Sequence, residues 1–183
     1  MDKQTEQKLG KMDKKLVQLF EDLKDYSDTT LNKPPSEGTW SVLDTMQHLL
    51  LTEQSALNSI QREIDKNTAF SDSGFGDTAR AIALRTALSL PIKFKAPFYI
   101  NKDAFVENPT FWEVVKDWKN ERIRLKQFCK DIPSELMQKS IYKHPVGGLL
   151  NMQGVLSFFD THFDRHHKQI RRTLKKVDAV KQL

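Results

Sequence analysis

Two histidines, His162 and His166, stand four residues apart in an otherwise amphipathic run. At about 100° per residue, positions i and i+4 share one face of a helix, one turn apart. That face borders an apolar stripe, beside Val155, Phe159 and Ile170, and Gln169 and Thr173 line up on it. Two inward imidazoles at this spacing are what one helix offers a first-row divalent metal, and bundle interiors are where helical proteins build such sites. The commoner meaning of the pattern is a pair of partly buried imidazoles, each hydrogen-bonded to a neighbour. A metal needs a third ligand from elsewhere in the chain, and the candidates are His48, His144 and Glu53. His167 projects to the side and cannot easily join His162 on one ion. Asp160 and Asp164 flank the pair; either could accept an imidazole N–H, but both read first as surface charges.

The elements that must carry these residues are helices. Lys8 to Tyr26 has a helix-spaced stripe of Leu9, Met12, Leu16, Leu19, Phe20 and Leu23. A Pro- and Gly-containing connection follows to Thr39. Ser41 with Asp44 three residues on reads as an N-cap with an acidic capping box, opening a helix to about Lys66. Its stripe is Val42, Met46, Leu49, Leu50, Leu57, Ile60 and Ile64. On that stripe His48 falls on the other flank, near Asp44, Thr52 and Ser55, where the pattern reads as exposed. Residues 67–109 are less regular, with a helix expected over 78–90 and Lys alternating with aromatics (Phe94, Phe98, Tyr99, Phe105) thereafter. Thr110 with Glu113 forms a full capping box and starts a helix to about Asp131, with Phe111, Val114, Val115, Trp118, Ile123, Leu125 and Phe128 as burial candidates. A helical turn is expected over 134–137 and a turn over 144–148. The last long helix then runs from Leu149 to about Val177, carrying Met152, Leu156, Phe159, Phe163, Ile170, Leu174 and Val177 inward. No alternating strand pattern competes with these helices. Four long amphipathic helices imply an all-α bundle that buries the stripes against one another.

Composition sets the outer limits. A chain of 183 residues fits one domain spanning 1–183. The single cysteine, Cys129, forms no internal disulfide and suits a reducing compartment. It also argues against a thiolate metal site, which uses several cysteines. No apolar run approaches the roughly 20 residues that span a bilayer, and the N-terminal stretch has no apolar core of a signal peptide. A cytoplasmic protein is therefore expected, with no membrane partner. The net charge of +5 is mild. Its excess gathers at Lys168, Arg171, Arg172, Lys175, Lys176 and Lys181, which could meet nucleic acid. A solvated helix end, favourable to the helix dipole, is the simpler meaning, and no DNA-reading motif accompanies it.

The run Trp40-Ser41, His48-Leu49 and Glu53 resembles the second helix of DinB/YfiT-like proteins. The run His144-Pro145-Val146-Gly147, followed by His162, His166-His167 and Gln169-Ile170, is similar to the matching C-terminal part. The resemblance spans most of the chain, while 67–109 matches nothing recognisable. It implies an up-down-down-up four-helix bundle with an irregular insertion between the second and third long helices. It also implies a divalent metal, commonly nickel or zinc, held by His48, His162 and His166, with His48 turned inward. By the same analogy a homodimer is expected, although no sequence feature specifies its interface.

Three imidazoles leave at least one position open, which distinguishes a catalytic from a structural site. An ion there acidifies a bound water toward pH ~7 or deprotonates a thiol. The site would support hydrolysis or thiol activation alike, and the resemblance implies a metal-dependent hydrolase or a small-thiol S-transferase acting on a small-molecule substrate. Glu53 could orient an imidazole or act as a base, the alternative being a solvated helix residue. His144 could face the pocket mouth or serve only its turn. The aromatic-rich 91–111 stretch could cover the open end of the bundle or pack as an ordinary loop. A metal-free bundle acting as a binding protein is the competing reading, since fold alone does not imply function.

Overall fold

A computed structural model of the protein describes residues 1–66, 69–74, 76, 79, 82–84, 86, 100 and 102–180, with side chains through residue 178. Four long helices dominate: α1 Lys3–Leu23, α2 Val42–Asp65, α3 Phe111–Asp131 and α4 Met152–Val180. Each starts where local chemistry satisfies its free N–H groups. Asp2 caps α1 through the Thr5 N–H, which starts that helix five residues before the apolar stripe suggests. Ser41 and Asp44 close a reciprocal capping box on α2, and Thr110 and Glu113 close one on α3, as the sequence predicts. Asn151 accepts the Gly154 N–H at the start of α4.

Contacts between helices fix their directions. Lys8 meets Gln153 and Ser157, Lys15 meets Asp160 and Asp164, and Tyr26 meets Asp178, so α1 and α4 run parallel. Glu53 meets Trp118 and Arg122, and Asn58 meets Arg124, so α2 and α3 also run parallel. His48 meets His162 while Thr45 meets Gln169, so α2 runs against α4. The bundle is up-down-down-up. Helix α2 packs on both α3 and α4, and α1 closes the other side against the same two helices.

The stripes read from the sequence form the core. In α1 all six predicted positions are buried, and α4 buries Met152, Leu156, Phe159, Phe163, Ile170 and Val177. Helix α3 departs from expectation: Ile123 is 69% exposed, whereas Glu121 and Arg122 are buried. The inward row there is Phe111, Val114, Val115, Trp118, Arg122 and Leu125, so a polar residue holds a core position.

A small antiparallel hairpin precedes α4, with β1 Tyr142–His144 paired to β2 Gly148–Leu150. It replaces the start of the helix expected from Leu149. Three-residue strands are too short for an alternating pattern to show. Gly148 sits at φ 69° after the turn, a conformation glycine adopts freely. At Gly147 a Cβ would lie 2.5 Å from Leu84, so the hairpin tip takes glycine because Leu84 packs on it. Residues 79, 82–84 and 86 are helical, in keeping with the expected helix over 78–90; its other residues lie outside the described ones, as do Phe94, Phe98 and Tyr99. Residues 136–138 form a single 3-10 turn near the turn expected over 134–137.

Candidate metal centre

The α2 capping box starts the helix so that its first two turns lie between α3 and α4. Every residue from Thr45 to Leu50 is buried there. His48 is among them, at 4% exposure. The exposed reading from the apolar stripe is therefore corrected. A stripe marks the face toward one neighbour, and α2 has two.

The His48 flank meets α4 at His162 and His166, each 8% exposed. One ligand atom from each of the three residues lies within 4.8 Å of the others. The Nε2 atoms of His48 and His162 are 3.2 Å apart. Two imidazole nitrogens on a tetrahedral ion at ~2.05 Å would be separated by about 3.3 Å, so this pair already stands at ligand spacing. The rings are close as a set, with centroids 5.0 Å (His48 and His162), 4.8 Å (His48 and His166) and 4.5 Å (His162 and His166) apart.

Outer hydrogen bonds orient two of the rings. His48 Nδ1 lies 2.7 Å from the Ile100 carbonyl oxygen and donates to it, which leaves Nε2 unprotonated with its lone pair beside His162 Nε2. His166 Nδ1 lies 3.0 Å from Gln169 Oε1 and donates in the same sense. Gln169 Nε2 in turn reaches Thr45 Oγ1 at 3.4 Å, and that hydroxyl donates to the Ser41 carbonyl. A chain of hydrogen bonds thus runs from His166 back to the first turn of α2. The Ile100 carbonyl is brought in by the segment that follows it: Gln47 bonds both ways with the Val106 backbone, and Phe105 packs edge-on to Trp40 at 5.6 Å. Phe105 is the part of the expected aromatic cover that the described residues include near the site; Phe111 belongs to the core.

Aromatic rings wall the cluster. Trp40 lies 4.8 Å from His48 and stacks on His166 at 6.4 Å, while Phe158 stacks on His162 at 5.2 Å. Such walls remove water and favour neutral imidazoles. Burial lowers the pKa of His48, brings His166 down to about 3 and holds His162 well below its ordinary value. All three are neutral at pH 7, the form that ligates metal. The donor set fits a divalent ion of the borderline class that imidazole prefers.

Glu53 has other partners. It is 2% exposed, accepts from Arg122 Nη2 at 2.9 Å and from Trp118 Nε1 at 3.3 Å, and makes no described hydrogen bond to an imidazole. It is neither solvated nor an orienter of the triad. It joins α2 to α3 inside the bundle, and burial pushes its carboxyl up to about 7 against the pull of Arg122 and Trp118. Arg122 was invisible to the apolar pattern, although its place in the inward row of α3 is the signal that could have found it. His144 stands one ring removed from the triad: it packs edge-on to Phe158 at 4.4 Å. Its Nδ1 accepts the Val146 and Gly147 N–H groups at 3.1 and 2.8 Å, which ties the ring to its own turn. Asp160 pairs with Lys11 and Lys15, and Asp164 with Lys15, on the α1 side. Cys129 is buried and its thiol is pushed up to about 12, so it offers no thiolate to this chemistry.

The model of the DinB superfamily matches residues 9–170, nearly the whole chain. The chain belongs to the DinB superfamily. No curated protein and no solved structure matches it closely enough to name a relative. This DinB-superfamily bundle thus brings together, in one buried cluster, the three histidines that lie on its second and last long helices. Among the described residues no helix is long and apolar enough to cross a membrane.

Proposed function

We propose that this DinB-superfamily protein is a divalent-metal-dependent enzyme, a hydrolase or small-thiol S-transferase, with its ion held by His48, His162 and His166. The convergence of three neutral imidazoles, two of them with Nε2 atoms 3.2 Å apart, is the observation that carries the reading. Imidazole donors suit zinc, copper, iron and nickel alike, and the family resemblance favours nickel or zinc among them. When bound, such an ion supplies the Lewis acidity that draws a proton from water or a thiol at neutral pH, so one site serves both reactions. The Ile100 carbonyl and Gln169 accept the Nδ1 protons of His48 and His166, which leaves Nε2 of each ring unprotonated. Trp40 and Phe158 keep bulk water off the rings. Glu53, engaged with Arg122, is left out of the proton chemistry. The co-substrate for the transferase reaction is a low-molecular-weight thiol rather than Cys129, whose burial keeps it protonated.

Elemental analysis of native-purified protein tests the reading. About one nickel or zinc per chain is expected in the unaltered protein, and little in H162A. Stoichiometric metal retained by H162A, or none taken up by the unaltered protein from excess Ni²⁺ or Zn²⁺, would sink it. Metal-loaded protein is then screened with activated esters and with thiol plus electrophile.

A further inference from the structure

Beside β1 lies a groove of about 520 Å³ whose lining includes Gln54, Ser55, Asn58, Arg62, Tyr142 and Lys143. That volume is within the range of small-molecule sites. None of its lining residues is a triad histidine, yet both of its walls lead to the triad. One wall is α2 itself. His48 is followed at helical spacing by Leu51, Ser55, Asn58 and Arg62, a single row that begins at the histidine and continues along the groove. The other wall is β1. Tyr142 and His144 are two residues apart on that strand with rings 6.1 Å apart, His144 packs on Phe158 at 4.4 Å, and Phe158 stacks on His162 at 5.2 Å.

The lining chemistry is one-sided. Two cations, Arg62 and Lys143, stand among amides and hydroxyls, and no acidic side chain lines the groove among the described residues. Neither cation has an ion-pair partner among the described residues, whereas Arg124 nearby is paired with Glu121. Arg124 also donates to Asn58 Oδ1, which leaves the Asn58 amide N–H groups to donate elsewhere. Unpaired guanidinium and ammonium groups beside free amide donors suit a carboxylate or phosphate. The span from His48 to Arg62 is fourteen helical residues, roughly 21 Å at 1.5 Å each, so a molecule reaching from triad to cations is extended.

We infer that this groove binds the anionic, hydrogen-bonding body of an elongated substrate, with Arg62 and Lys143 holding a carboxylate or phosphate at the end remote from the metal. The assignment of that molecule as substrate rests on the proposed metal-dependent activity; the groove's binding of anions does not.

Calorimetric titration at low ionic strength tests this with two probes, ribose 5-phosphate and the dipeptide Glu-Glu, each against its neutral counterpart, ribose and Gln-Gln. The full chain is used, both metal-loaded and after metal removal. At least one anionic probe is expected to bind tighter than its neutral counterpart, and which one binds separates phosphate from carboxylate. Because both cations are exposed, R62A/K143A should fold normally, and it should weaken that probe by about tenfold or more, the effect of losing charge-assisted hydrogen bonds. It should still take up the same metal. H162A should keep the probe's affinity within about twofold while losing metal, so a failed metal reading leaves the groove result interpretable. Equal binding of charged and neutral probes, no binding of either anionic probe, or unchanged affinity in R62A/K143A would overturn the inference.

Discussion

Acid should destabilise the metal-free protein through the very burial that prepares the histidines for metal. His166 falls to about 3 and His162 well below its ordinary value, against 6.5 for an exposed imidazole. His144, partly buried behind Phe158, falls to about 4. Between pH 6.5 and those values the unfolded chain binds protons that the folded chain refuses, so stability drops as pH falls. From pH 7 to 5.5 each histidine held neutral by burial contributes a loss on the order of 1 kcal/mol. Glu53 works the other way. Its folded pKa is about 7 against 4.5 for an exposed carboxyl, so the folded state gains a proton first and recovers on the order of 1–2 kcal/mol over pH 7 to 5.5. The net loss expected from pH 7 to 5.5 is about 2 kcal/mol, a large share of the stability of an ordinary domain. Urea unfolding of chelator-treated protein, followed by circular dichroism at the two pH values, measures it. In H166Q the loss should shrink by about 1 kcal/mol. Equal unfolding free energies at pH 7 and 5.5 in the metal-free protein, with an unchanged denaturant slope, would refute the reasoning that these imidazoles are held neutral by burial.

Three further outcomes are expected. Q169A should weaken metal binding by about 10- to 100-fold without unfolding the bundle, because His166 loses the acceptor that orients it; competition titration with a chelator reads this, and unchanged affinity would remove Gln169 from the site. R122M should cost about 3–5 kcal/mol by leaving Glu53 buried and unpaired, while E53Q/R122M should recover much of that loss; a double variant no more stable than R122M would contradict the pairing. G147A should cost about 1–3 kcal/mol in chemical denaturation because the new methyl meets Leu84, and G147A/L84A should cost less than the two separate losses together.

Much of the fold was written in local chemistry. The capping boxes at Ser41 and Thr110 and the stripes of α1 and α4 depend only on residues one turn apart, so they are legible without a partner. His162 and His166 belong to this class, since one helix fixes their common face. The pattern misleads where a second neighbour matters. Ile123 reads as core and is exposed, because the inward row of α3 passes through Arg122, whose charge is met by Glu53 across the bundle. The β1–β2 hairpin stayed hidden because its strands are only three residues long.

By itself, then, the sequence determined an all-α bundle, the two-histidine face of the last helix and, through its resemblance to DinB/YfiT-like proteins, the full candidate triad. Tertiary structure alone decided the surroundings of that triad. Helix α2 touches α3 with one flank and α4 with the other, so His48 is buried on a side that its own periodicity assigns to solvent. The same packing turned Glu53 toward Arg122 instead of a histidine. It also set the Ile100 carbonyl, 52 residues along the chain, against His48 Nδ1. Periodicity records which side of one helix is apolar; which neighbour covers each side, and with what polar atom, depends on residues far apart in the chain.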